Sequence, residues 1–378
     1  MIYLDNAATT YPKPPQVYNA MMKAMRTYGA NPGRSGHKMS MNAALEIYEC
    51  RRVAAEMFNA QGEECVAFTL NCTHATNMVL KGLLKPGDNV VTSSLEHNAI
   101  MRPLKKLEER GVTHSIAKVY PCDNDKTVDS FRECITSKTS LIVCTCASNV
   151  WGIRLPIERI AALAKVYGIP MMVDAAQGAG LIPIDMQKDN IDYLCLAGHK
   201  GLYGPMGTGM LITSSSNRLN TIIEGGTGTN SLSFYQPSDM PEKLESGTPN
   251  VIGISGLRAG MEYVKKTSIE KICNHENKLM TYFYDMVKKL DHVELYMPRP
   301  DKKYFVPVVS FNVKGKDSES VGNILDSNGI EVRAGLHCAP AAHKFAGTLE
   351  RGAVRVCPSA FTNFSEIERI VGVIQKMS

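Results

Sequence analysis

The chain has 378 residues, 44% of them hydrophobic and 21% charged, a globular balance that excludes global disorder. The net charge is only +5 and the charges are interspersed, which argues against a nucleic acid or a membrane surface as partner. Eleven scattered cysteines, no apolar run near the roughly 18 residues of a membrane span, and no leader in MIYLDNAATT point to a reduced, cytoplasmic protein. No CxxC pair is present, and no metal site is expected.

The first residues, 1–29, are expected to pack with the C-terminal part of the chain. From residue 30 to 253, short β-branched runs alternate with helical stretches. The pattern predicts strands at Cys65–Thr69, Asn89–Thr92, His114–Ala117, Ser140–Thr145, Met171–Val173, Tyr193–Leu196 and Gly209–Ile212. Helices are predicted over Ala75–Leu84, Ala99–Arg110 and Pro156–Tyr167, the last with Pro156 in its first turn. The run SLIVCTCA reads as a fully buried strand. The alternation implies an α/β fold, a mostly parallel central sheet with helices on both faces. The segment Gly225–Asn250 is a long loop rich in Gly, Ser, Thr and Pro, and such loops are often functional. Beyond Gly253 the pattern changes to a smaller α+β C-terminal domain, 254–378. It is expected to hold helices at Ile254–Lys266, Ile269–Leu290, Ser318–Asn328 and Ser365–Lys376, with strands in YFVPVVSFNV, IEVRAG and AVRVC.

Several residues carry chemistry in this pattern. Lys200 lies where the apolar run DYLCLAG meets a Gly-rich turn, and desolvation there lowers an amine's pKa, as a nucleophile requires. Asp174 ends another apolar strand, at the edge where open α/β sheets bind ligands. A lysine and a carboxylate so placed suit pyridoxal phosphate, whose aldehyde takes the amine and whose ring nitrogen takes the carboxylate. Thr73 and His74 open a helix, whose free N–H groups favour a phosphate. His97 follows a strand, where an imidazole can stack on a flat ring. Asn149 follows the SLIVCTCA strand, where its amide can orient a ligand.

The motifs YLDNAATT, EHNA, SNVWG, VDAAQ, GHK, SGTPN and RAGLHC occur in that order across residues 2–376. With this ordered set the chain resembles class V aminotransferase-fold enzymes, and within them the cysteine desulfurase and selenocysteine lyase family. The resemblance implies a fold type I architecture and a homodimer with active sites at the subunit interface. It implies pyridoxal 5′-phosphate as cofactor, L-cysteine or L-selenocysteine as substrate, and a thiol sulfur-acceptor protein as partner. Lys200 is then the lysine that carries the cofactor, Asp174 the partner of the pyridinium nitrogen, Gln177 the ligand of the ring hydroxyl, and His97 the stacking residue. Thr73, His199 and the backbone N–H of His74 are the implied phosphate ligands, and Thr248 reaches the phosphate of the neighbouring subunit. Asn149 and Arg355 are implied to hold the substrate carboxylate. Cys338, following Arg333, Gly335 and His337 in RAGLHC, resembles the persulfide-forming cysteine of the group II branch. A histidine or the substrate amine is expected to activate its thiol. Ala197 stands where relatives often have serine, and the run APAAHKFAGT after Cys338 is unusual. These departures bear on the acceptor and the substrate preference more than on the cofactor. A class V transaminase or epimerase, which needs no Cys338, and a non-catalytic carrier are the competing readings.

Overall fold

The computed structural model describes residues 1–33, 36–214 and 218–377. The chain opens with β1 (Ile2–Tyr3), α1 (Pro15–Thr27) and α2 (Lys38–Phe58). The alternating region follows, with β2 (Val66–Thr69), α3 (Cys72–Leu83), β3 (Asn89–Ser93), α4 (Asn98–Glu108) and β4 (Thr113–Ala117). It continues with α5 (Asn124–Cys134), β5 (Thr139–Thr145), α6 (Ile157–Val166), β6 (Met171–Asp174), α7 (Met186–Asp189), β7 (Tyr193–Ala197) and β8 (Gly209–Thr213). The last part contains α8 (Val251–Thr267), α9 (Ile269–Val287), β9 (Val293–Leu295), β10 (Val309–Val313), α10 (Ser318–Ser327), β11 (Ile330–Glu331) and β12 (Arg333–Gly335). It closes with α11 (Pro340–Phe345), β13 (Ala353–Val356) and α12 (Phe364–Gln375).

The central sheet has seven strands in the order β2-β8-β7-β6-β5-β3-β4. The pairs from β7 to β4 are parallel, and β8 runs antiparallel to both β7 and β2. Every predicted strand of this region is present. Pro156 differs from expectation, for it caps α6 from outside and Ile157 begins the helix. Burial on both faces explains the continuous apolar run of β5. Leu141 and Val143 enter one core cluster, while Ile142 and Cys144 enter another. Each such side chain, fully buried, contributes about 1.5–3 kcal/mol.

The strand order sets the position of the site. From β3 the chain moves outward to β4, whereas β5, β6 and β7 progress the other way. The crevice beyond the carboxyl ends of β3 and β5 is therefore a topological switch point, where doubly wound sheets bind ligands. A second sheet, β12-β13-β10-β9, is antiparallel and shares a core with α9, α10 and α12. The N-terminal β1 pairs with β11, and Asp5 bridges to Cys357. Among the described residues no helix is long and apolar enough to cross a membrane.

Candidate active site

Asp174 ends β6 and is buried. Its Oδ1 accepts from the Ala176 N–H at 2.9 Å and from the Cys72 thiol at 3.3 Å. Lys200 sits on the turn after β7. Burial first, then the nearby Arg355 charge, lowers its pKa, and Asp174 works against this. Tight backbone packing holds the turn: a Cβ on Gly180 would lie 2.0 Å from the Gly201 carbonyl oxygen. His97 caps α4, its Nδ1 accepting from the Ala99 N–H at 3.0 Å, and burial lowers its pKa to about 4. The neutral ring thus carries its proton on Nε2. Sequence reasoning passed over its neighbour Glu96, which lies inside EHNA. Glu96 Oε1 accepts from the Thr145 N–H at 2.9 Å and the Ser93 hydroxyl at 2.5 Å, tying the ends of β3 and β5 together at the switch point. Burial raises its pKa to about 8.

The N-terminus of α3 forms another wall. The Asn71 side chain takes the His74 N–H at 2.9 Å, so the N–H expected to meet a phosphate is already bonded. The His74 ring serves better. Its Nδ1 accepts from the Leu70 N–H at 3.3 Å, which leaves the Nε2 proton buried with no partner among the described residues. His199 Nδ1 is likewise buried and has no partner among the described residues, and Thr73 is exposed at the first turn. An orphaned ring N–H on the first turn of a helix, with Thr73 exposed beside it, fits a phosphate. Gly209 permits the approach of α3, because a Cβ there would lie 2.6 Å from Asn71 C. Thr248 is exposed on the rim of a cavity of about 620 Å³ that His74 also lines, and its hydroxyl accepts from Asn31 Nδ2 at 3.2 Å.

The N-terminal segment clasps the lysine turn, a role the sequence reading missed although the residues lie in or beside YLDNAATT. The His199 carbonyl accepts from Lys13 Nζ at 2.7 Å and Thr9 Oγ1 at 3.1 Å, and the Lys200 carbonyl accepts from Thr10 Oγ1 at 3.1 Å. Burial lowers the Lys13 pKa to about 7. Gln177 Nε2 donates to the Ala7 carbonyl at 2.9 Å. Arg355 is buried; it donates to Asp5 Oδ1 at 2.5 Å and to the Asn149 carbonyl at 2.9 Å, and its Nε has no partner among the described residues. The Asn149 side-chain amide instead donates to the His337 carbonyl at 2.9 Å.

Cys338 is exposed on a tight turn closed by the Ala339 N–H bonding to the Leu336 carbonyl at 2.9 Å. Both central residues are left-handed, His337 at φ 52° and Cys338 at φ 54°. Non-glycine residues there cost of order 1–3 kcal/mol each and persist only when surroundings over-determine them. Arg333 Nη2 lies 3.6 Å from the Cys338 Sγ.

Asp174 and Lys200 follow the adjacent parallel strands β6 and β7, and the capping His97 follows β3, all along the carboxyl edge of a doubly wound sheet of fold type I. The profile of Aminotransferase class-V matches residues 2–370, and the chain belongs to that family. It is 34% identical to a probable cysteine desulfurase of Methanothermobacter thermautotrophicus, across 98% of this chain and 93% of that one. A probable cysteine desulfurase of Pyrococcus abyssi is 33% identical, over 100% and 94% of the two chains. The apo structure of the cysteine desulfurase from Thermococcus onnurineus superposes with a TM-score of 0.93 at 31% identity, covering 100% of this chain and 94% of that one.

Proposed function

We propose that this protein is a cysteine desulfurase that converts L-cysteine to L-alanine and places the sulfur on Cys338 as a persulfide. The observation that carries the reading is the exposed Cys338 thiol on a left-handed turn, where the Cys338 carbonyl accepts from the Asn98 N–H next to His97. A transaminase of this fold has no use for a thiol held there.

Pyridoxal 5′-phosphate, when bound, supplies an electron sink for the substrate Cα. Lys200, Asp174, His97 and Gln177 would hold its ring; Thr73, His74 Nε2 and His199 would hold its phosphate. Arg355 offers its unpartnered Nε to the substrate carboxylate, beside Asn149. The lowered pKa of Lys200 leaves a fraction of free amine, which takes the Cα proton and later returns one. The Cys338 thiolate attacks the substrate sulfur, so an S–S bond forms as the C–S bond breaks. The bonding pair leaves with carbon, which gains a proton and departs as alanine. A thiol acceptor then removes the sulfur.

A homodimer fits the same reading. Leu232, Phe234 and Tyr235 in the 225–250 loop are 99%, 106% and 87% exposed, a cost that a second subunit would relieve while Thr248 reached the neighbouring phosphate. All eleven cysteines are free, which suits a reducing cytoplasm.

The test is alanine release from L-cysteine by the cofactor-loaded protein with a reductant, wild type against Cys338→Ala. Loss of alanine in the variant with an unchanged cofactor spectrum supports the reading. Undiminished turnover in the variant, or keto-acid product, overturns it. Relative turnover of L-selenocysteine then assigns the substrate preference.

A further inference from the structure

A buried hydrogen-bond chain joins the unusual run after Cys338 to His337 and Arg333 before it. His337 Nδ1 and His343 Nε2 are 3.2 Å apart, with the two rings nearly coplanar at an interplanar angle of 7°. His343 Nδ1 lies 2.8 Å from Thr348 Oγ1, and His337 Nε2 lies 3.3 Å from the Arg333 carbonyl oxygen. The Trp151 ring meets His343 edge-on, and Trp151 Nε1 donates to the Ala342 carbonyl at 2.7 Å.

The protons in this chain have one consistent arrangement. A carbonyl oxygen only accepts, so His337 Nε2 carries a proton. Burial and two nearby cations, Arg355 and Arg333, keep His337 neutral, so its Nδ1 is an acceptor. His343 Nε2 must then donate to it. Burial also keeps His343 neutral, so its Nδ1 accepts from the Thr348 hydroxyl. The direction runs from Thr348 to His343 to His337 to the Arg333 carbonyl, and the tautomers follow from the network.

Resting on the reading of Cys338 as the sulfur acceptor, we infer that His343 is a positioning residue for that thiol, acting through His337. The chain locks the His337 ring, and Asn149 locks its carbonyl, so the next residue is presented on a fixed left-handed turn. It also anchors the backbone of Arg333, whose guanidinium lies beside Sγ. His337 has no free lone pair with which to take the thiol proton. The sequence expectation of histidine activation therefore fails for His337, despite its place next to Cys338.

The test compares wild type, His343→Leu, His343→Gln and Thr348→Val as cofactor-loaded proteins. Alanine release gives kcat and KM, and mass spectrometry follows iodoacetamide alkylation of Cys338, which needs no desulfuration. Leucine should lower kcat about tenfold, with KM and cofactor absorbance unchanged and Cys338 alkylation altered at least about threefold. Glutamine can still donate to His337 Nδ1 and should recover kcat to within about threefold of wild type. Wild-type alkylation should show no inflection in the histidine range near about pH 6.5. Equal loss in the leucine and glutamine variants, or no loss in either, overturns the inference. If the leucine variant fails to fold, Thr348→Val decides, because it removes one hydroxyl at nearly constant volume. Wild-type kinetics and alkylation from that variant overturn the inference. If wild type releases no alanine, the functional reading fails while the alkylation arm still decides whether His343 sets the presentation of Cys338.

Discussion

The main-chain carbonyl of Cys338 accepts a hydrogen bond from the Asn98 N–H at 2.8 Å. Asn98 is the first residue of α4, directly after the capping His97. One bond therefore joins the exposed thiol turn to the segment that would hold the cofactor ring. The free N–H at a helix start, which would otherwise need water, is satisfied by the loop it positions.

Asn98→Pro breaks that bond and sets the ring Cδ against the Cys338 carbonyl, so the thiol turn must move away. Proline is tolerated at the first helical position, and His97 already has the extended backbone that a following proline requires, φ −75° and ψ 158°. The helix should persist while the donor is lost. The lost bond alone nets about 0.5–1.5 kcal/mol and displacement of the turn adds to it, so alanine release should fall at least about tenfold. Circular dichroism with steady-state kinetics checks this, and unchanged kinetics in a folded variant would show that the bond does not position the thiol.

Arg355→Lys keeps the charge and loses the fork. One ammonium cannot serve Asp5, Asn149 and a guest carboxylate with the same geometry. The KM for L-cysteine should rise about tenfold or more, while the cofactor absorbance stays in place. A KM equal to that of wild type would remove Arg355 from the substrate site.

Gly180→Ala should damage the lysine turn. Its φ of 85° is left-handed, and the new Cβ would lie 2.0 Å from the Gly201 carbonyl oxygen. That contact is with backbone, so the turn itself must shift. The expected result is more than about 2 kcal/mol of lost stability in urea titration, with weakened cofactor retention. A variant with wild-type stability and cofactor spectrum would show that the two backbone segments part freely.

Glu276 makes stability fall with rising pH. Burial raises its pKa from 4.5 to about 8, opposed by the Tyr203 hydroxyl at 3.4 Å. The folded state keeps its proton between those values and the unfolded state releases it. The contribution is therefore whole below pH 4.5 and lost as pH rises through about 8. Glu276→Gln removes this titration. The variant should match wild type near pH 4 and exceed it at pH 8, by on the order of a few kcal/mol. Parallel stability curves at the two pH values would contradict the assignment.

The inner strands of the central sheet were legible because a sheet buried on both faces leaves continuous apolar runs, as in β5. The helix α2 was not legible. It buries Glu46 and Arg51, which break its apolar face, and their partners Arg258 and Glu245 lie far along the chain. His74 shows the limit for the site: its place at a helix start was readable, but local capping by Asn71 took the N–H and left the ring as the donor.

By itself, the sequence determined the α/β class and nominated Lys200, Asp174, His97, Arg355 and Cys338 for the site. Strand–helix alternation and ordered motifs are properties of the chain alone. Only the tertiary structure decided which atoms are already engaged. It committed the Asn149 amide to His337, two arms of Arg355 to Asp5 and Asn149, and the His337 lone pair to His343. Each polar group has few hydrogen bonds to make, and they are allotted among neighbours that meet only after folding.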